Sequence, residues 1–532
     1  MKKIALACIL ITLFVSCKTE KKSEIGKLSD EYALVKITTP DLSGISDNGK
    51  EVLNLYKFAA DQADSIYWKQ TFGDKALMDG IQDSDIKEFA MINYGPWDRV
   101  TGKAFVEGYG ERPLGAAFYP ADMTKAEFEA FSDSSKTSPY TMIVRDSAGA
   151  LASVPYHVAF KDYIEKISSE LQAAADITIK ASVKNYLLKK IEALKTDDYL
   201  AADKAWLDVK DSKMDLIIGP SEINDDQLFG LKASYDAYVL LKDEKRTVQL
   251  SQFTGMADDL QKMLPCDEAY KTFVPGSDSE IYTFDAIYMA GHANAGIKLM
   301  ALNLPTDAYS QQQLGTRSVL LRNIMSEKFN RVVNEVGMVV LNSDQQAHLS
   351  EEAFYWCVAF REIAHGLGVK ETINGKGSVS DALGNKALTW EDAKASAAGL
   401  YLLCKLLDDY KIPGLTTKED AIITYFANLV RSQRFGEVSQ LGRAYVMIFN
   451  YLNMNGAFKR GDSGKYTIDY DKTLALISDL TGIIIKTQAT GDYEFASQFE
   501  DKYCSLSDDF KADLVNIRLE NIPIDLKFEF EK

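Results

Sequence analysis

The segment from Glu351 to Gly368 carries the residues whose types and spacing come nearest to metal chemistry. It contains Arg361, Glu362 and His365, which form the pattern R-E-x-x-H. On a helix, Arg361 and His365 are four residues apart and share a face, while Glu362 is rotated by about 100°. A zinc-binding helix needs an imidazole at each end of this pattern, because two ring nitrogens must reach one ion. Here an arginine occupies the first of the two positions.

A second helix is predicted to open near Thr389 and to present two acids, Glu391 and Asp392. Together with Glu362 and His365, these side chains can form a cluster of carboxylates and one imidazole, the donor types of a metal site. Two structural interpretations stay open. Asp392 also stands where an acid would cap a helix that starts at Thr389. His365 is also a residue that the negative end of the preceding helix favours.

Other common catalytic and metal-binding motifs are absent from the sequence. The chain has four histidines, and no two lie within five residues, which excludes a zinc helix with two imidazoles. The G-x-S-x-G and Walker A spacings are also absent. The cysteines after residue 17 are widely spaced and form no C-x-x-C pair, so they indicate no zinc ribbon or redox site. We expect Cys357 and Cys404, in apolar helical segments, to be buried free thiols.

The first seventeen residues predict export and lipid attachment. Lys2 and Lys3 precede an apolar run that is too short to span a bilayer, and the small Ser16 stands before Cys17. The ending F-V-S-C resembles a bacterial lipobox, which implies cleavage after residue 16 and a lipid on the Cys17 thiol. A secreted protein with a buried Cys17 is the alternative. Residues 18–30 are charged and lack aromatic side chains, which predicts a solvated tether.

Composition excludes several classes of protein. The 532 residues are 46% hydrophobic and 26% charged, as in a soluble globular protein, and are enough for a large core. The formal net charge of −17 opposes binding to nucleic acid or to an anionic membrane surface. Nucleic acid is therefore not an expected partner.

The elements that must hold these residues are mostly helices, interrupted by a small sheet. Helical periodicity is clearest in four segments: 49–66, 154–174, 177–193 and 228–241. Strand-like runs lie at 140–145, 214–218, 281–304 and, at the end of the chain, 522–530. This pattern predicts an α+β fold that is mainly helical, with a small sheet or barrel and two interleaved lobes.

Short sequence words follow one another through most of the chain. They include Y-G-P-W-D-R at 94–99, A-F-Y-P-A-D-M-T at 117–124, I-G-P-S-E at 218–222, R-F-G at 434–436 and Q-A-T-G-D-Y at 488–493. In these words and their order, the chain resembles the dipeptidyl peptidase III family, in particular the bacterial and plant branch that is sometimes found with Nudix domains. The resemblance covers the chain from about residue 94 to its end.

The resemblance implies two lobes across a wide cleft. One lobe is helical and holds zinc in the family, and the other is mixed and contains a small β-barrel. On this basis we assign residues 31–250, 281–330 and 506–532 to the mixed lobe, and 251–280 and 331–505 to the helical lobe. The residue pattern at the start of the chain separately predicts a signal peptide at residues 1–16 and a lipidated tether at residues 17–30.

The resemblance also implies roles for single residues. The family's zinc is held by two histidines of one helix and a glutamate of the next, with another glutamate as the base that activates water. By position, Glu362 matches the base, His365 the second histidine and Asp392 the third ligand. In the substrate words, Glu222 and Asn303 are retained and are implied to hold the amino end of a peptide.

The chain differs from the family at the positions to which the resemblance assigns the chemistry. Arg361 stands at the first histidine, and a guanidinium has no lone pair to give to a cation. Asp392 is one methylene shorter than the family's glutamate. Other replacements are Ser396 for an acid, Leu441 for a histidine, Asn224 for a tyrosine and Thr306 for an asparagine. Placed beside Glu362 and Asp392, Arg361 can supply the positive charge that zinc brings in the family.

Three functions follow from these residues. The first is a non-catalytic lipoprotein, at the periplasmic or outer-membrane surface, that holds a peptide or partner protein in its cleft and needs no metal. The second is an active peptidase that cleaves dipeptides from peptide amino termini and keeps zinc through His365, Glu391 and Asp392. The third is a structural lipoprotein whose cleft is unused. Retention of Glu222 and Asn303 favours the first function over the third.

Overall fold

A computed structural model describes residues 23–37, 42–272, 279–436 and 439–530. The predicted signal peptide at residues 1–16 and the predicted lipidation site Cys17 lie outside the described residues. The fold is α+β and mainly helical, as the sequence predicts. Among the described residues, no helix is both long and apolar enough to cross a membrane.

Helices make up most of the secondary structure of the described chain. In chain order they are α1 (Glu24–Asp30), α2 (Asp47–Thr71), α3 (Ala76–Asp79), α4 (Ser84–Asn93), α5 (Lys125–Ala130), α6 (Tyr156–Ala159), α7 (Lys161–Ile177), α8 (Ala181–Thr196), α9 (Leu200–Leu207), α10 (Glu244–Thr254), α11 (Ala257–Met263), α12 (Ala308–Leu314), α13 (Arg322–Lys328), α14 (Asn334–Val340), α15 (Glu351–His365), α16 (Val379–Leu383), α17 (Ala387–Asp409), α18 (Lys418–Ser432), α19 (Gln440–Met454), α20 (Tyr470–Thr490), α21 (Tyr493–Tyr503) and α22 (Asp508–Leu519). Hydroxyl groups cap several of them, as Ser350 caps α15 and Thr417 caps α18.

The strands form one larger sheet and three two-stranded pairs. In chain order they are β1 (Tyr32–Ile37), β2 (Thr141–Arg145), β3 (Leu151–Pro155), β4 (Met214–Glu222), β5 (Ser234–Lys242), β6 (Ser279–Gly291), β7 (Ala301–Leu304), β8 (Thr316–Leu321), β9 (Phe458–Arg460), β10 (Tyr466–Ile468) and β11 (Asp525–Phe530). The five-stranded sheet has the order β4-β5-β6-β8-β7, with β6 and β8 parallel and the other pairs antiparallel. β1 pairs in parallel with β11 and thereby joins the two ends of the described chain.

Two large apolar cores define the two lobes. One core is built from the helices between α10 and α22 and contains Trp356 and Trp390. The other lies between the five-stranded sheet and helices α2, α7, α8 and α9, and contains Trp68. Ile522 still belongs to the helical core, whereas Leu526 belongs to the mixed core. The chain therefore passes from one core to the other between these two residues.

Residues 24–30 form a helix, which differs from the tether expected there. Ser23 caps this helix, and its hydroxyl also donates to the carboxylate of Asp85 on α4 at 2.8 Å. Ile25 and Leu28 pack against a small apolar cluster that includes side chains of α4. A cap and two aliphatic residues three apart are enough to dock a short helix onto an existing surface, even in a charged segment without aromatic residues.

The helix predicted at 228–241 is wrong, because the chain there forms β5. This strand lies between β4 and β6, and its residues from Tyr235 to Leu240 are buried. A strand that is covered on both faces shows a continuous apolar run without alternation, and periodicity alone does not separate such a run from a buried helix. The run predicted at 281–304 contains both β6 and β7, with a break at Gly291, whose φ is 68°.

Candidate functional site

The candidate site lies where α15 packs against α17. Gly399 of α17 faces the backbone of α15, and a Cβ atom at this position would lie 2.8 Å from the backbone nitrogen of Arg361. Any side chain at residue 399 would therefore push the two helices apart. The close approach of the backbones allows Arg361 to reach Asp392, which precedes Gly399 by about two helical turns.

Arg361 connects two of the predicted site carboxylates. Its Nη1 donates to Oε1 of Glu362 and its Nη2 donates to Oδ1 of Asp392, each at 2.6 Å. The three side chains are 22%, 7% and 21% exposed, respectively, so their charges are largely removed from water. Burial disfavours the charged guanidinium, but Glu362, Tyr445 and Asp392 outweigh burial and raise the pKa of Arg361 above its usual value. Arg361 is therefore a permanent cation between two carboxylates.

His365 and Glu391 form a second pair beside the first. Nδ1 of His365 lies 3.0 Å from Oε1 of Glu391, and its Nε2 lies 4.0 Å from Oδ1 of Asp392. Nζ of Lys394 lies 2.8 Å from the same Glu391 oxygen. Burial favours the neutral acid, but Lys394 and the His365 hydrogen bond hold the pKa of Glu391 well below its usual range. The charge of Glu391 is thus already matched within the protein.

The start of α17 settles one of the open structural interpretations. The helix begins at Ala387, two residues before Thr389, and the residue before it, Lys386, makes no side-chain cap. Asp392 therefore lies beyond the first turn, and its carboxylate bonds to Arg361 instead of capping the helix. The interpretation of Asp392 as part of a capping box is wrong. His365 is the last residue of α15, where the negative helix end favours it.

These donors do not fit the zinc ion that the resemblance implies. A zinc site needs three protein donors that converge on one point at about 2.0–2.3 Å. Here a guanidinium occupies the first ligand position, and both Glu362 and Asp392 already accept hydrogen bonds from it. A divalent ion at this point would meet a positive charge that no physiological pH removes. Among the described residues, His365 belongs to no group of three or more metal-binding side chains.

The other two replaced positions near this site offer neither an acid nor an imidazole. The buried hydroxyl of Ser396 lies 2.9 Å from the hydroxyl of Tyr425. Leu441, near the start of α19, is 40% exposed. One turn further along α19, Tyr445 is buried and interacts electrostatically with Arg361 and Asp392. The sequence did not single out Tyr445, because it lies within an apolar run and matches no motif.

The predicted substrate residues lie on the mixed lobe. Glu222 ends β4, and its Oε1 accepts a hydrogen bond from the backbone N–H of Asn224 at 3.0 Å. Burial raises the pKa of Glu222 to about 7, although backbone N–H groups at Asn224 and Ile223 act in the opposite direction. Asn303 is exposed on β7, and its side-chain oxygen accepts from the hydroxyl of Ser318 at 3.2 Å.

Thr306 has an internal partner in the structure. Its hydroxyl donates to the backbone carbonyl of Ser221 at 2.8 Å. The bond connects the segment after β7 to the end of β4, so it links the two edges of the five-stranded sheet close to Glu222. Where the resemblance places an asparagine, this chain uses a threonine to hold two strands together.

Two further polar residues lie beside Glu222 that the sequence did not indicate. Asp236 on β5 accepts a hydrogen bond from the hydroxyl of Ser221 at 3.0 Å, and its other oxygen is 3.8 Å from Nδ1 of His292. Within the described residues, neither that oxygen nor that nitrogen has a hydrogen-bond partner. Burial and the neighbouring Glu222 raise the pKa of Asp236 well above its usual value, and burial lowers the pKa of His292 to about 4. Both residues follow apolar neighbours in the sequence and match no motif.

The structure thus places the predicted residues in two groups. Arg361, Glu362, His365 and Asp392 meet on α15 and α17, in the helical lobe. Glu222, Asn224 and Asn303 lie at or near strand ends in the mixed lobe. Lys394 and Gly399, which the sequence did not single out, complete the first group through an ion pair and a close helix contact.

Known proteins resemble this chain in both sequence and structure. The family model described as peptidase family M49 matches residues 124–380. Nudix hydrolase 3 of Arabidopsis thaliana is 27% identical, over 96% of this chain and 74% of its own length. The structure of DPP III from Caldithrix abyssi matches with a TM-score of 0.90 at 29% identity, covering 95% of this chain and 98% of that one. DPP III from Corallococcus sp. strain EGB matches with a TM-score of 0.84 at 28% identity, covering 95% and 96%.

Proposed function

We propose that this chain, which belongs to peptidase family M49, the dipeptidyl peptidase III family, binds peptides without cleaving them. The homology supports a dipeptidyl peptidase-like function, and the family depends on zinc. The finer proposal is that peptide binding is retained in part and that the metal-dependent chemistry is lost. The bridge from Arg361 to Glu362 and Asp392 carries this proposal.

The bridge affects the base as well as the metal ligands. Glu362 stands at the position of the family's base, but its carboxylate accepts from Arg361 at 2.6 Å and its side chain is buried. A general base must be within hydrogen-bond reach of the proton that it removes, and it must be free to accept that proton. Oε1 of Glu362 already accepts a hydrogen bond from Arg361, so this oxygen is occupied by the guanidinium. Glu362 therefore serves as a counter-ion.

Glu222 supports the binding part of the proposal. Among the described residues, no lysine or arginine forms an ion pair with it, and the hydrogen bond to its carboxylate comes from the backbone. The α-ammonium group of a peptide is positive near neutral pH and would give this half-buried carboxylate its counter-charge. The ligand class is therefore a peptide, or a partner protein, with a free amino end.

We also propose that the protein is anchored in the cell envelope by a lipid on Cys17. The support is the basic start, the short apolar run and the F-V-S-C ending of residues 1–17. Export would place the peptide-binding lobe outside the cytoplasm. Metabolic labelling with a radioactive or alkyne fatty acid tests this directly: the intact chain should take up label, and a Cys17→Ser variant should not.

The function is tested by incubating the purified protein with a short peptide that has a free amino end. We expect saturable binding by calorimetry and no dipeptide release by mass spectrometry. Acetylation of the amino end should abolish binding, and so should Glu222→Gln. Release of dipeptides that a chelator abolishes would overturn the proposal and would support the active peptidase instead.

A further inference from the structure

The mixed lobe contains a cavity that is separate from the proposed peptide site. It has a volume of about 360 Å³ and lies among the start of α2, the connection from α7 to α8 and the start of β4. Volumes in this range are typical of small-molecule sites. Met214 lines the cavity and Glu222 ends the same strand, so the two sites are about 26 Å apart along β4.

The walls of this cavity are largely apolar. Ile45, Val52, Ile177 and Met214 contribute side chains, and Ile179 stands at the edge, where it is 84% exposed. An isoleucine left in water beside an open apolar cavity is unfavourable, because its hydrocarbon surface could be buried. A ligand with a hydrocarbon part would cover both the cavity walls and this side chain.

Two lysines line the cavity, each near a carboxylate, and Lys213 is the more weakly paired of the two. Nζ of Lys180 lies 3.4 Å from the carboxylate of Asp211, whereas Nζ of Lys213 is 4.0 Å from Glu244. In the part of the chain that the structure describes, Lys213 makes no hydrogen bond through its ammonium group. A Cβ atom on Gly44, another lining residue, would lie 3.9 Å from Nζ of Lys213, so the ammonium group lies close to the Gly44 backbone.

We propose that this cavity binds a small amphipathic carboxylate. The hydrocarbon part packs against Ile45, Val52 and Ile177, and the carboxylate accepts hydrogen bonds from Nζ of Lys213. Apolar burial supplies most of the affinity, and the charge-assisted hydrogen bond orients the ligand.

Octanoate is a suitable probe, because it combines one carboxylate with a hydrocarbon chain of a size that such a cavity accepts. In calorimetric titrations of the purified protein, we expect one site per chain with a dissociation constant below about 1 mM. Acetate should not bind, because it lacks the hydrocarbon part. 1-Octanol and octylammonium should bind at least about tenfold more weakly than octanoate, because neither brings a negative charge to Lys213.

Two variants connect the binding to this cavity. Lys213→Met keeps the side-chain length without the charge and should weaken octanoate about tenfold or more while leaving 1-octanol unchanged. Gly44→Leu should block the mouth, since a Cβ atom there meets only Lys213 within 4 Å and adds no backbone strain. Gly110→Leu is the matched control, because Gly110 also has space around it, and this variant should bind octanoate normally.

Thermal denaturation shows whether each variant is folded, and peptide binding should persist in all three. No saturation by octanoate up to about 10 mM would contradict the proposal, because so weak an affinity indicates no specific site. Equal affinity of octanoate for the unaltered protein, Lys213→Met and Gly44→Leu would contradict it as well. Equal affinity for octanoate and 1-octanol would overturn the role of Lys213.

Discussion

The guanidinium of Arg361 donates a hydrogen bond to the carboxylate of Asp392 across 2.6 Å and so joins α15 to α17 through opposite charges. The same guanidinium also neutralises Glu362. Two acids and one permanent cation therefore form a closed group, at residues that the resemblance aligns with the family's metal site. The protein supplies its own positive charge there, and this predicts specific effects of substitution.

Replacement of Arg361 should destabilise the fold. Arg361→Ala leaves Glu362 and Asp392 partly buried without a counter-charge, and we expect a loss of about 2–4 kcal/mol in the free energy of unfolding. This range lies between the values for exposed and fully buried ion pairs, because Arg361 and Asp392 are each about one-fifth exposed. Arg361→Met, which keeps the length without the charge, should be nearly as harmful. Chemical denaturation measures both variants.

A double substitution separates charge from packing. Adding Asp392→Asn to Arg361→Met should recover part of the lost stability, because one of the two unpaired carboxylates is then removed. Asp420→Asn, at an acid that pairs with His348 on a different part of the helical lobe, is the matched control and should not couple to Arg361→Met. A loss of only a few tenths of a kcal/mol for Arg361→Ala, with no coupling to Asp392, would remove support for the internal cation.

Restoring a histidine should restore metal affinity without restoring catalysis. Arg361→His creates H-E-x-x-H on α15 and should raise zinc affinity at least about tenfold, measured by competition with a chromophoric chelator. Peptidase activity should stay low, because Leu441 and Asn224 still lack the groups found in the family, and one missing oxyanion donor costs about 10²–10³ in rate. Arg361→Lys is the control and should gain no zinc. Full peptidase activity from Arg361→His alone would show that residues 441 and 224 matter little.

Peptide binding should depend on pH through Glu222. Because the pKa of Glu222 is about 7, the carboxylate that attracts an ammonium group forms only as the pH rises through this value. Affinity should therefore increase from pH 6 to about pH 7.5 and decrease again above about pH 8, where the α-amino group loses its proton. Calorimetry across this range measures the profile. An affinity that is constant from pH 5.5 to pH 7.5 would contradict the role of Glu222.

The contribution of Glu222 to the free energy of unfolding should fall over the pH range in which its contribution to peptide affinity rises. The pKa of Glu222 is higher in the folded chain than its ordinary value of 4.5, so the unfolded chain releases this proton first as the pH rises. Its contribution to folding is therefore most favourable below pH 4.5 and is lost between pH 4.5 and about pH 7. Glu222→Gln should stabilise the protein at pH 8 relative to the unaltered chain and change little at pH 4.5. Denaturation at both values measures this difference.

The contact between Gly399 and Arg361 should tolerate no side chain. Gly399→Ala places a Cβ atom 2.8 Å from a backbone nitrogen, and we expect a loss of about 1–3 kcal/mol, as for other overpacked cores. The same substitution at Gly110, which has open space around it, should change stability by a few tenths of a kcal/mol at most. An equal and small effect at both positions would show that α15 and α17 can separate without cost.

Local sequence patterns indicated which residues lie together on α15. They did not indicate the contacts between α15 and α17. The R-E-x-x-H spacing placed Arg361 and His365 on one helix, because helical periodicity is a local property. Lys394 and Gly399 were missed, since their importance arises only when α17 packs on α15. The segment 228–241 was misassigned for a related reason: burial of β5 on both faces depends on strands that are distant in sequence.

The zinc content of the purified protein tests the central claim most directly. The chain from Ser23 onward is produced in zinc-supplemented medium, dialysed at neutral pH and measured by mass spectrometry of the metal. Because Arg361 occupies a ligand position and binds two of the remaining acids, we predict far less than one zinc ion per chain. A tightly held ion at about one per chain would contradict the account and would favour an active metallopeptidase.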